Sequence, residues 1–221
     1  MTRLAILSDV HADLRALEDA LVQIERLGCD LIVCAGDLVD YGAYPDETLA
    51  LLEERRIPCI RGNHDRWALE RKADDRRALS PSARKYLASL PPRWDRTIEG
   101  VRVAVRHGTP RSDMIGIHPD EATAGDVWCW LREAEADVLI VGHTHVPFAL
   151  SALGGGLIVN PGALLREVGE GWRLDPRVPS TPGTFGVLEL QSRGFAVYRV
   201  KDGTKVVIAV RTIGISDRRT V

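Results

Sequence analysis

The chain has 221 residues, 45% of them apolar and 27% charged, with a formal net charge of −2 at neutral pH. That balance belongs to a globular protein rather than a disordered or fibrous one, and a chain of this length buries roughly 70% of its unfolded surface. No global positive field draws it onto nucleic acid or an anionic membrane, so neither is expected as a partner.

The apolar run Leu4 to Leu7 reads as a first strand, too short for a signal peptide or a membrane span. Asp13 caps a following helix whose apolar residues Leu14, Leu17, Leu21 and Ile24 recur at three and four, with Gly28 as its stop. Leu31 to Ala35 is the second strand, Pro45 to Arg55 the second helix, and Ile57 to Ile60 the third strand. This alternation signals a largely parallel sheet. From Arg66 to Leu90 the chain is charged and helical, a peripheral insertion with a helix start at Ser80-Pro81. Arginines concentrate between Arg61 and Arg111, interleaved with acids, as on a solvated face with some capacity to steer phosphate.

Thr97-Ile98 and Val101 to Val105 flank Glu99-Gly100, the pattern of a hairpin. A helix from Pro119 to Ala136 leads to a strand at Val138 to Val141. Beyond it, Pro147 to Leu153, Leu157 to Asn160, Thr184 to Leu190, Phe195 to Val200 and Lys205 to Arg211 read as antiparallel strands of a second sheet. Gly169 to Gly183 is a long loop and Ser216 to Val221 a polar tail. One domain over residues 1–221 fits this order. Cys29, Cys34, Cys59 and Cys129 show no C-x-x-C spacing, as expected of reduced thiols in the cytoplasm.

Five apolar runs end in polar clusters: Asp9-Val10-His11, Gly36-Asp37, Gly62-Asn63-His64-Asp65, His107-Gly108, and Gly142-His143-Thr144-His145. Of the six histidines, all but His118 fall in these clusters. Beyond the carboxyl ends of parallel strands such clusters share one crevice. The spacing of two in Asp9/His11 and His143/His145 puts each pair on one side of an extended segment. Carboxylate, amide and imidazole donors suit divalent Mn, Fe, Zn, Co or Ni. Cations also resolve the repulsion of Asp9 and Asp37, about 4 kcal/mol at 4 Å and an effective dielectric near 20.

In this order the motifs D-x-H, G-D, G-N-H-D, H-G and G-H-T-H resemble those of the calcineurin-like metallophosphoesterase superfamily, over about residues 4 to 165. Gly36 to Gly42 (GDLVDYG), the GHTHVPF run from Gly142 and Asn160-Pro161-Gly162 are similar to the small bacterial and archaeal phosphodiesterase-type members. The resemblance implies an α/β fold, a four-layer α/β/β/α sandwich of two mixed sheets, with a dinuclear centre at one edge. It implies two divalent metal ions, manganese foremost, one held by Asp9, His11, Asp37 and His145 and the other by Asp37, Asn63, His107 and His143. Hydrolysis would follow by in-line attack of a metal-bridging hydroxide, with His64 assisting the leaving group and Asp65 orienting its ring.

Phosphoprotein phosphatases carry Arg where this chain has Tyr41 and Glu where it has Asp65, and loss of a guanidinium tilts the expectation toward phosphodiesters. The expected substrate is thus a small phosphodiester or nucleotide. A dinucleoside polyphosphate hydrolase, a phosphomonoesterase and a catalytically silent scaffold are the alternatives. Ala163-Leu164-Leu165 replaces the Ser and Gly-containing turn common after Asn160-Pro161-Gly162 in close relatives. Trp67 and His118 are read as packing and surface residues, and Arg166 as a phosphate contact or a solvent salt bridge. The strands after Thr184 offer an edge for a homo-oligomer.

Overall fold

Strand β1 (Arg3–Leu7) shows how the layers are specified: its side chains alternate between two cores, Leu4 and Ile6 on one face, Ala5 and Leu7 on the other. A strand buried on both faces needs apolar residues at every position, which is why this run lacks polar alternation. The computed structural model describes residues 1–72, 75, 78–152, 154–165, 183–206, 208 and 210–213. Arg166, the tail from Ser216 to Val221 and all of the loop from Gly169 except Gly183 lie outside the described residues.

Helix α1 (Leu14–Arg26) starts where the Asp13 carboxylate accepts from the Ala16 N–H, and the chain leaves it through Gly28 at φ +63°. β2 (Leu31–Cys34) pairs in parallel with β1. α2 (Pro45–Glu54) begins on its proline. The strand expected at Ile57 to Ile60 is reduced to a single bridge between Cys34 and Cys59. Pro58 has no N–H to extend a ladder. The helical insertion consists of α3 (Asn63–Glu70) and α4 (Pro81–Ser89), the latter capped by Ser80. α3 begins three residues earlier than the sequence suggested, inside the G-N-H-D cluster.

β3 (Trp94–Ile98) and β4 (Val101–Val105) form the hairpin, with Glu99 at φ +48° and Gly100 at φ +81° in its turn. α5 (Ala124–Glu133) is shorter than the expected 119–136 helix because Thr123 and Asp126 form a capping box that fixes its start. β5 (Val138–Ile140) follows, then β6 (Phe148–Ala152), β7 (Leu157–Asn160), β8 (Thr184–Glu189), β9 (Gly194–Arg199), β10 (Lys205–Val206) and β11 (Val210–Ile213).

These strands make two mixed sheets, ordered β10-β9-β8-β1-β2 and β11-β6-β7-β5-β4-β3. The expected division into a parallel N-terminal sheet and an antiparallel C-terminal one is therefore corrected. β8 lies antiparallel beside β1, while β4, β5 and β7 run parallel in the other sheet. The run read as one strand at Lys205 to Arg211 is split, β10 pairing with β9 in the first sheet and β11 with β6 in the second. Leu4, Ile6, Val33, Val103, Val105, Ile140 and Val159 meet between the sheets. α1 to α4 cover the outer face of the first sheet and α5 that of the second. The result is the expected four-layer α/β/β/α sandwich. Among the described residues no helix is long and apolar enough to cross a membrane.

Candidate metal centre

β1, β2, β4 and β5 all deliver their carboxyl ends to one edge of the sandwich, and the polar clusters follow directly from them. Parallel strands leave a crevice there that no neighbouring backbone fills. The chain enters it through left-handed turns: Asp9 (φ +52°), His11 (+49°), Asp37 (+53°), His143 (+67°) and His145 (+58°) all have positive φ. Such backbone is costly for non-glycine residues and persists only where surrounding bonds enforce it. Here the Asp9 N–H donates to Gly36 O (3.0 Å) and the His11 N–H to Asp37 O (3.0 Å), tying the two loops together. The pairs spaced by two therefore converge through tight turns, not through extended strand as the sequence suggested.

Asp9, His11 and His145 form one group whose candidate ligand atoms all lie within 4.8 Å of one another; Asp37, His107 and His143 form a second. His11 Nε2 and His145 Nε2 face each other at 3.1 Å, and His145 Nε2 is 3.3 Å from Asp9 Oδ1. Asn63 Oδ1 lies 3.1 Å from both His107 Nε2 and His143 Nδ1, which brings it into the second group. Asp37 Oδ2 is 3.1 Å from His107 Nε2 and 3.9 Å from His11 Nε2, so its carboxylate stands between the groups. All seven expected ligands are thus gathered in one place.

Outer contacts orient these donors. The Nδ1–H of His11 donates to Val39 O (3.1 Å) and that of His107 to Ala35 O (2.8 Å), which leaves Nε2 of each ring aimed inward. Ser8 Oγ donates to Asp9 Oδ2 (2.6 Å). Asn160 donates to Gly142 O (2.8 Å) and Thr144 Oγ1 (3.1 Å), and accepts from the Gly162 N–H (2.8 Å), so it ties down the G-H-T-H loop. Ala163-Leu164-Leu165 acts as backbone: Leu164 and Leu165 N–H groups donate to Ser8 O and Asp9 O. A Cβ on Gly142 would collide with Ser8 Oγ, and one on Gly62 with Asp37 Oδ1. Both glycines are needed for close approach.

The carboxylates and imidazoles of the site perturb one another strongly. Burial works to raise Asp9 and Asp37, but His145 beside the first and His107 beside the second outweigh it and hold both below the usual carboxylate range. In return, burial lowers His107 but Asp37 overcomes it and holds the imidazolium up to about 10. Burial, against Asp37, brings His11 down to about 4. Two buried carboxylates, four inward-facing imidazoles and an amide oxygen with no cation-binding competitor among them are the donor set of divalent Mn, Fe, Zn, Co or Ni. The residues therefore fit two such cations.

His64 joins neither group. Its Nδ1–H donates to Asp40 Oδ2 (3.0 Å), and its Nε2 faces Tyr41 Oη at 3.3 Å. Asp40 is itself clamped by Arg71, whose Nη2 lies 2.6 Å from Oδ1 and 2.8 Å from Oδ2. Asp65, expected to orient this ring, does something else. Its Oδ1 accepts from the Leu38 (2.8 Å) and Val39 (3.2 Å) N–H groups and its Oδ2 from Gly62 (2.9 Å), closing the capping box of α3. Burial, then the nearby Asp37 carboxylate, raises Asp65 to about 7 against those donors. Asp40 is the residue the sequence reading missed, although the second Asp of GDLVDYG was its signal.

Trp67 is 37% exposed, with its ring centroid 4.8 Å from that of His64, so it forms a wall beside the site. His118 is exposed and its carbonyl accepts from Glu121 and Ala122 in the turn before α5.

Residues 2–193 match the family model described as the calcineurin-like phosphoesterase superfamily domain. A "probable metallophosphoesterase" of Methanothermobacter thermautotrophicus is 32% identical over 163 residues, 72% of this chain and 76% of that protein. An uncharacterized protein of Methanocaldococcus jannaschii is 28% identical over 186 residues, covering 78% and 74% of the two chains. The crystal structure of a metallophosphoesterase from Sphaerobacter thermophilus superposes with a TM-score of 0.66 at 26% identity, over 94% of this chain and 89% of that one.

Proposed function

This chain belongs to the calcineurin-like phosphoesterase superfamily, and we propose that it is a phosphodiesterase acting on a small phosphodiester or nucleotide with two divalent cations, manganese foremost. The observation that carries the reading is the pairing of two ligand groups, Asp9/His11/His145 and Asp37/His107/His143, with a histidine beside them that ligates in neither. Asn63 would complete the second group and Asp37 would serve both. Cations there would draw charge from the phosphoryl oxygens and lower the pKa of water toward about 7.

The chain's own residues supply the rest. Hydrolysis places OH from water on phosphorus and breaks the bond to the leaving oxygen, which needs a proton. His64 delivers it from Nε2, while Asp40 on Nδ1 holds the ring in place for the transfer. Tyr41 and Trp67 form the walls on this side. Arg71 is engaged with Asp40, and Tyr41 brings no charge where phosphoprotein phosphatases carry a guanidinium, which supports a monoanionic diester over a dianionic monoester. The four free cysteines suit a reducing compartment, and we place the protein in the cytoplasm.

The test uses chelated protein reconstituted with Mn, Ni, Zn, Co or Mg, bis(p-nitrophenyl) phosphate beside p-nitrophenyl phosphate, and Asp37→Ala as control. Metal-restored diester cleavage that the control abolishes is expected. Faster cleavage of the monoester would replace the phosphodiesterase reading by a phosphomonoesterase.

A further inference from the structure

On the Asn63–His107 side of the candidate centre lies a cavity of about 600 Å³ whose walls carry Arg61, Arg66, Arg93, Arg106 and Arg111 against one acid, Asp113. Gly62 and His107 also line it, so it opens directly beside the second ligand group. In a chain of net charge −2, this concentration of arginine is local and not a reflection of composition.

The guanidinium groups exceed the carboxylates that hold them. Arg66 pairs with Asp113 (3.0 Å) and more loosely with the exposed Glu70 (3.8 Å), and Arg111 with Glu133 (2.6 Å). Arg106 and Arg93 share one carboxylate, Asp95, at 2.7 and 3.9 Å. Among the described residues Arg61 has no ion pair; its backbone N–H is fixed on Pro91 O. The Arg106 side chain is only 9% exposed, held by Asp95 and Val105 O, and so forms a rigid floor. The Arg93 and Arg111 side chains are 71% and 79% exposed, at the rim. Thr109 and Ser112 add hydroxyls. Planar forked donors and hydroxyls around an open cavity match the tetrahedral oxygens of phosphate. Among the described residues no Phe, Tyr or Trp lines the cavity to stack a base, which disfavours a nucleic-acid strand.

We propose that this arginine cavity binds a second phosphate group of the substrate, so that the substrate is a small phosphodiester bearing a further phosphate beyond the scissile one. The proposal rests on the phosphodiesterase reading for its scissile bond, but its binding surface can be tested without turnover. It also gives a role to the arginines concentrated between Arg61 and Arg111 that the metal centre does not use.

Two measurements decide it. In the first, metal-free protein, desalted from chelator, is titrated calorimetrically with tripolyphosphate and with orthophosphate. Tripolyphosphate should bind the more tightly, weaken with added salt, and lose about tenfold or more in affinity in the double variant Arg61→Gln/Arg111→Gln. In the second, metal-loaded protein is given the p-nitrophenyl ester of a nucleotide with and without a second phosphate on the ribose. The ratio of kcat/KM for the two esters should favour the second phosphate by about tenfold, chiefly through KM, and collapse toward one in the double variant. Equal binding of the two anions, no binding of tripolyphosphate, a ratio near one in the parent protein, or a ratio that survives in the double variant would each overturn the proposal. If neither ester is cleaved with any metal, the phosphodiesterase reading fails and the calorimetric arm alone decides the cavity.

Discussion

Asp40 and Asp65 can be separated by what each supports, because one carboxylate holds a side chain and the other holds backbone. Asp65 is fully buried and accepts from three N–H groups, those of Leu38, Val39 and Gly62. Asp65→Ala strands all three, and at about 1 kcal/mol or more for each buried donor the loss is at least about 3 kcal/mol. For a chain of this size that lowers the melting temperature by roughly 6 to 12 °C. Asp40→Asn keeps an acceptor for His64 or Arg71 but removes the charge that both engage, costing about 1 kcal/mol of stability. Its effect falls on turnover: His64 keeps its place, loses its orienting anion, and kcat drops about 10- to 100-fold. The assay is a thermal melt of each metal-loaded variant beside kcat for bis(p-nitrophenyl) phosphate. If Asp65→Ala melts with the parent protein while losing as much kcat as Asp40→Asn, the assignment of roles is refuted.

His64→Ala should retain two cations by elemental analysis yet lose about 100- to 10,000-fold in kcat, since its ring touches Asp40 and Tyr41 and joins neither ligand group; loss of a metal ion in this variant would contradict the role. His107 is raised from 6.5 to about 10 by Asp37, so in metal-free protein its contribution to stability is complete below pH 6.5 and lost as pH rises through about 10. A ligating imidazole must be neutral, so Mn titrated into weakly buffered protein should release protons, and its affinity should climb over that same window; a titration without proton release would count against His107 as a ligand. Asp137 is lowered from 3.8 to about 2, chiefly by hydrogen bonds from Arg102, so its contribution is present above 3.8 and lost as pH falls through about 2. With Arg102 58% exposed the pair is worth no more than about 1 kcal/mol, and Asp137→Asn should be less stable than the parent at neutral pH by that amount, with the gap closing on acid titration.

Most of the site could be read from the sequence because its ligands sit where apolar runs stop, and a run that stops at a strand's carboxyl end marks the crevice regardless of the strand's partners. What could not be read was how the chain turns there. Asp9, His11, Asp37, His143 and His145 take positive φ without being glycine, and although Asp and His are enriched among such residues, most of them are not left-handed, so residue type does not fix the turn. Sheet membership was equally hidden. β8 and β9 follow the second sheet's strands in sequence but join the first sheet, β8 beside β1 and β9 beside β8, a choice made by apolar faces closing two cores at once and not by local pattern.

The error over Asp65 has a sharper cause. The resemblance implies an orienting role for Asp65 beside His64, but in a helix neighbours one apart point to different faces. Because α3 starts at Asn63, within the cluster and not at Arg66, that distinction decides both roles. The same helical start explains why this short segment serves two ends. On its first turn Asn63 faces the ligand group through Oδ1, His64 turns to the Asp40–Arg71 pair, and Asp65 turns back to cap the very turn that presents the other two. Asp65 therefore acts on the chemistry only through the backbone. The Asp65 carboxylate reaches the Gly62, Leu38 and Val39 N–H groups together, a task that at this position falls to Asp and not to the Glu of phosphoprotein phosphatases. The departure from that family at this position is thus a change in how the helix is capped and leaves the ligands and His64 untouched.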